Sequence, residues 1–305
     1  MEAAQGTVAA VSCNDTYAFT KPVRGEIVLI AGVGVKGDVH AGVYVKHRGR
    51  VRADPTQPNF RQVHLIQQEL FAEVGAKGYA VAAGNLGENV TTSGIDLLGL
   101  PVGTILRFGP PARAGADSGD GPPMGAAAGT EVDGGSPAGG DGGPVATRAA
   151  GVDAAGGGAA GVSAAGGGGA AEVSAAGGGG AVGMGVAAGV GFSGGPLGAV
   201  LEVAAAAELD GPTAASAVAL AAAAARDLGE DLRPAVVLAG LRNPCGQING
   251  FAEGLLKEVI GRDAAGNVVR KAGVMAVVLR GGVVRPGDVV TAELPPLPHA
   301  PLERV

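Results

Sequence analysis

The sequence predicts a mainly β domain with a few helices, an α+β arrangement closing toward a barrel or sandwich. Three observations carry this expectation. Short apolar runs recur at TVAAVS (7–12), EIVLI (26–30), RQVHLI (61–66), 90–92, 104–108, VMAVVL (274–279) and 289–294, separated by glycine-bearing turns, as in domains built from many short strands. Helical spacing of apolar residues is confined to a few brief segments. Much of the remaining length is poor in core-forming side chains, so the 305 residues are expected to hold one compact domain, 5–305, rather than two.

Two stretches interrupt that domain. Residues 113–196 are almost wholly Gly, Ala, Ser, Pro and Asp with scattered Val, a composition that cannot bury enough apolar surface to offset its chain entropy. Within it VDAAGGGAAG, VSAAGGGGAAE and VSAAGGGGAVG follow one another from Val152, a period too short and too polar for a fold-forming repeat. The stretch reads as a disordered, low-complexity Gly/Ala-rich insertion. Residues 204–235 read as a second, Ala-rich, partly helical insertion: AASAVALAAAAARDLG follows Pro212-Thr213, with Thr213 as the expected N-cap and Gly229 as the stop. Alanine inflates the 47% hydrophobic content, which therefore overstates the core.

The formal charge of −6, from 22 Lys and Arg against 28 Asp and Glu, argues against general nucleic-acid binding, for which a basic domain is the footprint. It leaves room for a local basic pocket. Two cysteines far apart, Cys13 and Cys245, make no disulfide framework and suit a reducing compartment. The opening MEAAQGTVAAVSC has neither the basic head nor the long apolar core of a signal peptide, and no glycine-free run of about 18 apolar residues offers a membrane span. A cytoplasmic protein with no membrane or nucleic-acid partner is the expectation.

Along the chain, the strands at 7–12 and 26–30 lead into GVGVKGDVHAG (32–42), a loop whose glycines permit positive φ and close backbone approach. Asp38 and His40 lie in it, and Lys46, His47, Arg48, Arg50 and Arg52 follow. A basic run after a Gly-rich loop suits anion cradling, although it is equally a solvated charged loop; Asp38 is equally a turn cap and His40 a structural hydrogen-bonding residue. RQVHLI alternates and reads as a strand with one wet face, with His64 a packed core histidine. QQELFAEV (67–74) has helical spacing, ended by Gly75 and Gly78. In 84–109, Asn85, Glu88 and Asn89 belong to a polar turn before two strands; Asn89 is equally an Asx-turn residue and Glu88 a surface one. LGAVLEV (197–203) reads as strand, FAEGLLKEVI (251–260) as helix, and Lys271 begins the buried strand VMAVVL. The proline-rich end, 295–305, reads as surface.

The chemistry concentrates in GLRNPCGQING (240–250). Cys245 follows Arg242, Asn243 and Pro244, and a cationic approach to a lone thiol is what a reactive or metal-binding cysteine needs. An inert buried thiol is the common alternative, and Cys13, with no basic neighbour in the chain, fits it. A thiol beside an arginine, a Gly-rich loop and a basic run together suit an anionic, phosphate-bearing ligand: Arg and Lys take the phosphate and the sulfur takes a soft metal or carries sulfur.

In order, GVKGDVHAG, RQVHLI, GNLGENVTTSGIDLLGLPVGT, GLRNPC and KAGVMAVVLRGGVVRPGD resemble the MOSC domain, named for the C-terminal part of molybdenum cofactor sulfurases. The resemblance spans nearly all of 5–110 and 236–305. It implies a MOSC-type β-barrel-like fold, binding of the molybdenum cofactor (molybdopterin), and Cys245 as molybdenum ligand or sulfur carrier. It places Asn89, Arg242, Asn243 and Lys271 in the segments around that cysteine. With Asp38, His40, Lys46 and Arg48 these are the candidate cofactor-binding residues. Pyridoxal phosphate enters by family association alone, because MOSC domains often adjoin a pyridoxal-dependent cysteine desulfurase. No desulfurase domain is visible in this sequence, which looks like the stand-alone type. The sequence departs from the family at both insertions, and the second separates AVLEV from GLRNPC, either as a folded element or as a mis-called gene model.

The resemblance implies a molybdenum-dependent enzyme, either an oxidoreductase reducing N-hydroxylated compounds or a sulfur transferase. The alternative is a non-catalytic carrier that delivers the cofactor. Either enzyme would use a small-molecule substrate. No flavin, iron–sulfur or haem motif is evident, so a partner protein would have to donate electrons or sulfur.

Overall fold

The computed structural model describes residues 4–109, 195, 197–263 and 265–305. Apart from residue 195, the span expected to be a disordered insertion, 113–196, lies outside the described residues. The first half of the domain holds β1 (Gln5–Ser12), β2 (Val23–Arg24), β3 (Ile27–Ile30), β4 (Gly34–Val35), α1 (Arg48–Ala53), β5 (Val63–Gln67), α2 (Glu69–Gly75), β6 (Val90–Ser93) and β7 (Ile105–Phe108). The second half holds α3 (Gly198–Ala206), α4 (Gly211–Arg226), β8 (Ala235–Leu241), α5 (Gln247–Phe251), α6 (Leu255–Val259), β9 (Ile260–Arg262), β10 (Val268–Arg270), β11 (Val274–Arg280), β12 (Gly282–Val284) and β13 (Val289–Glu293).

Seven strands close into a barrel in the order β13-β7-β8-β11-β5-β6-β1, the ring completed by antiparallel pairing of β1 with β13. Closure leaves these strands no unpaired edge. Every neighbouring pair in the ring is antiparallel except β5–β6. Alternate residues fill the interior: Val63 and Leu65, Leu106 and Phe108, Val236 and Leu238, Val274, Ala276 and Val278. The opposite faces of β8 and β11, at Val237, Ala239, Val277 and Leu279, pack under α3 and α4. Ile66 of β5 packs with α2, α5 and α6. Burial on both sides explains why these strands read as continuous apolar runs. It also corrects the wet face expected for RQVHLI: residues 63–66 are all buried. Among the described residues no helix is long and apolar enough to cross a membrane.

Helix α3 replaces the strand expected at 197–203. Val200, Leu201 and Ala204 share one buried face, and the alanines that follow are strong helix formers. In α4 the N-cap is Asp210 rather than Thr213: its carboxylate accepts the Thr213 backbone N–H at 2.9 Å, and a proline sits in the first turn. Leu220 and Ala223 anchor α4 to the sheet, and the Ser216 hydroxyl donates to the Ala239 carbonyl at 2.6 Å. Residues 251–260 do not form one helix. Gly254, at φ 84°, divides α5 from α6, and a Cβ there would meet the Tyr79 hydroxyl at 2.7 Å. Within the largely exposed segment 295–305, Leu302 and Val305 are buried.

Candidate functional site

The site lies where β8 runs out into the cysteine turn. Arg242 follows the last residue of β8 and donates its backbone N–H to the Gly273 carbonyl at 3.0 Å. Gly273, just before β11, has φ 91°, and a Cβ there would stand 2.1 Å from the Leu65 carbonyl. Only glycine permits that approach. It brings the Ala272 carbonyl within 2.7 Å of His64 Nε2, so His64 donates from Nε2 and is held as one tautomer. Met275 pairs with His64 across β5–β11, next to a shift of register between β8 and β11, the kind of bulge that re-aims side chains beside a site.

Arg242, His64 and Met275 line a cavity of about 280 Å³. Five lining side chains are cationic: Lys21, Lys46, Arg48, Arg61 and Arg242; His40, His47 and His64 add three imidazoles, and no lining residue carries a carboxylate. Such a concentration in a chain of net charge −6 makes the cavity a local trap for anions. Burial is graded. Lys21 and Arg242 are 5% and 7% exposed, Lys46 and Arg61 are intermediate, and Arg48 is exposed.

Arg242 carries the sharpest signal. Its Nη1 is buried with no hydrogen-bond partner, and among the described residues only Ser12 Oγ and Arg280 Nε share that condition. Neither of those residues lines the cavity. A buried donor left unpaired costs about 1–3 kcal/mol or more when charged, so an unpaired guanidinium nitrogen here points to a ligand. The guanidinium lies 5.8 Å from the centre of the Phe19 ring, near the limit of cation–π attraction. Burial lowers Arg242, while the charges of Cys245 and Glu88 favour its cationic form. Burial also lowers Arg61, to about 9, with repulsion from Arg50 and Arg242 adding to it. Arg61 therefore stays charged at neutral pH, and its Nη1 donates to the Val305 carbonyl oxygen at 2.6 Å.

Asp38 stands behind the cavity as a hub and is not a lining residue. Its side chain is fully buried. Oδ2 accepts from Lys21 Nζ at 2.7 Å and Asn89 Nδ2 at 2.9 Å; Oδ1 accepts from the His40 backbone at 2.9 Å and lies 3.2 Å from His40 Nδ1. Burial alone would raise this carboxyl, but the His40 bonds and the Lys21 ammonium outweigh it and hold Asp38 below the usual carboxylate range. Asn89 is saturated: it also donates to the Ser12 carbonyl at 3.2 Å and accepts from His64 N at 3.2 Å. Glu88 is fully buried, not a surface residue. It accepts from the Gly84 and Leu86 backbone and the Thr91 hydroxyl, and burial pushes its carboxyl up.

Cys245 lines the cavity half-buried, its Sγ 3.5 Å from Gln247 Oε1. The structure thus brings Cys245, His40, Lys46, Arg48, Asn89, Arg242 and Asn243 to one cavity. Asp38 stands behind it, and Lys271 lies apart: its ammonium binds Glu73 at 2.6 Å and it does not line the cavity. Its neighbours Ala272 and Gly273 supply backbone to the site instead. Asn243 is exposed at the rim, accepting from Arg270 Nε at 3.4 Å. Among the cationic and imidazole lining residues, Lys21, Arg61 and His64 escape a reading by motif: Lys21 sits in an apparent turn, Arg61 and His64 in an apparent strand. Cys13 is half-buried, with Sγ 3.8 Å from the Lys36 carbonyl; burial and the Asp38 charge push its thiol up. That suits an inert role. Among the described residues no cluster of three or more His, Cys, Asp or Glu could hold a metal ion.

No family model and no curated protein matches this chain. Solved structures do, at low identity. The chain is similar to the YuaD protein from Bacillus subtilis, at 15% identity and TM-score 0.47, over 96% of this chain and 97% of that one. It is similar to YiiM from Geobacillus stearothermophilus, at 9% identity and TM-score 0.40, over 97% and 79% of the two chains, and to YiiM from Escherichia coli, at 10% and 0.38, over 96% and 73%.

Proposed function

We propose that this is a MOSC-type protein whose cavity binds the molybdenum cofactor, with Arg242 and Arg61 on the phosphate and Cys245 toward the molybdenum. The observation that carries the reading is the buried, unpartnered Nη1 of Arg242 in a cavity lined by five cations and a thiol. The donor set fits the group. Guanidinium forks match phosphate oxygens, and a thiol is a soft ligand for a late or thiophilic metal, such as one held by a pterin dithiolene. When bound, the group would supply two-electron redox chemistry. The chain's own residues would bind and orient. Asp38 would fix Lys21 and hold His40 through Nδ1, which leaves Nε2 as the ring nitrogen able to exchange a proton with a substrate.

Among activities, reduction of an N-hydroxylated compound fits best. It consumes two electrons from a partner protein and two protons, breaks the N–O bond and releases water. Such a reaction needs a proton-exchanging group at the cavity, and His40 offers one. Sulfur transfer through Cys245 and a non-catalytic cofactor carrier are the other readings.

Turnover separates the readings. Protein purified from a cofactor-competent host is assayed with an N-hydroxylated substrate and a reducing donor, beside Cys245→Ser. Activity that falls at least about a hundredfold in the variant, as for loss of a group that touches the reacting centre, supports the enzyme. Protein that holds cofactor, passes it to an acceptor and shows no turnover supports the carrier.

A further inference from the structure

The segment 302–305 is anchored beside the cavity although the chain around it is exposed. Residues 296–301, 303 and 304 are exposed, whereas Leu302 and Val305 are 6% and 2% exposed, and Leu302 packs into the barrel core. Strand β8 pairs with β7 only as far as Val237. Further along, segment 302–305 is its neighbour: the Leu241 N–H donates to the Glu303 carbonyl at 2.7 Å, and the Leu241 carbonyl accepts from Val305 N at 3.4 Å, a parallel bridge centred on Arg304. Gly240 permits the approach, since a Cβ there would stand 2.7 Å from a Val305 methyl group. We propose that Val305 is a positioning residue for Arg61, which makes segment 302–305 part of the anion-binding site. The proposal rests on the reading of Arg61 as a cation that binds the ligand.

Three observations carry it. First, among the described residues the Val305 carbonyl oxygen is the one hydrogen-bond partner of the Arg61 guanidinium, at 2.6 Å from Nη1. A guanidinium carries five N–H donors in a planar fork, so one bond at Nη1 fixes the plane and leaves other donors for a ligand in the cavity that Arg61 lines. Second, Arg50 and Arg242 repel Arg61. A long side chain with free rotors, so repelled, would turn out of the cavity unless something uncharged held it, and a backbone carbonyl does so without neutralising it. Third, Arg242 is seated by a different contact, its backbone N–H on the Gly273 carbonyl at 3.0 Å. Unseating Val305 is therefore expected to act on the site through Arg61.

Binding of inorganic phosphate to the full chain, measured by calorimetry at fixed ionic strength in a double-mutant cycle, tests this. Arg61→Gln is expected to weaken binding about tenfold, as loss of a charge-assisted contact implies. Val305→Gly, which removes the side chain seated on Gly240, should weaken it about threefold, the scale of reordering one long side chain on binding. In the Arg61→Gln background Val305→Gly should weaken binding no further. A second readout needs no ligand: the Arg61 guanidinium signal in heteronuclear NMR, identified by its loss in Arg61→Gln, should be sharp in wild type and broadened in Val305→Gly. Wild-type affinity in Val305→Gly, a weakening that adds to that of Arg61→Gln, or an unchanged Arg61 signal overturns the proposal. Wild-type affinity in Arg61→Gln beside a weakened Arg242→Gln overturns it too and leaves the rest of the cavity reading standing. Phosphate that wild type does not bind, or binds with an affinity that depends on neither arginine, contradicts instead the reading of the cavity on which the proposal rests.

Discussion

At the scale of single residues the cavity is a problem in charge. Lys21, Arg61 and Arg242 are gathered with little counter-charge, and Asp38 is spent on Lys21 and His40. The imidazoles pay for this crowding. Burial, then Arg61, His40, Arg50 and Arg242, lower His47 to about 4, and burial with Arg242 pushes His64 well down. Both are neutral in the folded protein at mildly acid pH. In the unfolded chain each takes up a proton near the ordinary histidine value of about 6.5. Below that pH the unfolded state binds more protons, so stability falls as the pH is lowered from about 6.5 toward the folded value of His47. An anion in the cavity favours the imidazolium and opposes the loss. Thermal unfolding between about pH 7 and 5 should show a falling Tm that inorganic phosphate reduces and His47→Gln makes shallower. A slope insensitive to both would contradict this account of the cavity.

At the scale of elements, one glycine decides whether the site forms. The close approach of residues 271–273 to β5 sets the His64 tautomer and seats the Arg242 backbone. Gly273→Ala combines a positive φ with a Cβ 2.1 Å from a backbone carbonyl, so β5 and β11 must part. A loss of about 2–4 kcal/mol in chemical denaturation is expected, together with weakened phosphate binding by the fraction that stays folded. A variant of wild-type stability would mean that the approach is not tight.

The elements also show what could be read from the chain. The strands at 7–12, 63–66, 90–92, 105–108 and 274–279 were legible because alternation and β-branched runs report burial directly. LGAVLEV was not: as a heptapeptide it suits a strand, and only the alanines that extend it and the sheet face it covers make it α3. Cys245 and Arg242 were legible as a motif. Lys21, Arg61 and His64 were not, because strand pairing and barrel closure, not spacing, bring them beside a cysteine in another half of the chain. Lys271 stands only two positions before Gly273, yet its side chain reaches Glu73 of α2 and does not line the cavity.

For the molecule as a whole, the alanine-rich stretch before the cysteine matters through what it fastens. Asp227, the C-cap of α4, binds Arg107 of β7 at 3.3 Å and Arg280 of β11 at 2.8 Å. Arg107 also meets Asp231 and Glu293 of β13. This network clamps α4 across the strands that close the barrel, so 204–235 is built into the domain that carries the site. Asp227→Asn leaves the buried Arg107 with two carboxylate partners and Arg280 with none, only an amide oxygen. A loss of about 2–3 kcal/mol is expected in denaturant titration, less than for a buried pair broken outright. A neutral result would place the fastening in the apolar contacts of Leu220 and Ala223.

Whether Arg242 holds a molybdenum cofactor in this barrel is read from the molar ratio of molybdenum and pterin to protein, measured in wild type and Arg242→Gln purified side by side from a cofactor-competent host. Wild type is expected to retain both molybdenum and pterin, and Arg242→Gln, still folded, to lose about tenfold or more of each, as removal of a buried charge-assisted phosphate contact implies. Wild type without either component, or equal retention by the variant, would contradict that role for Arg242.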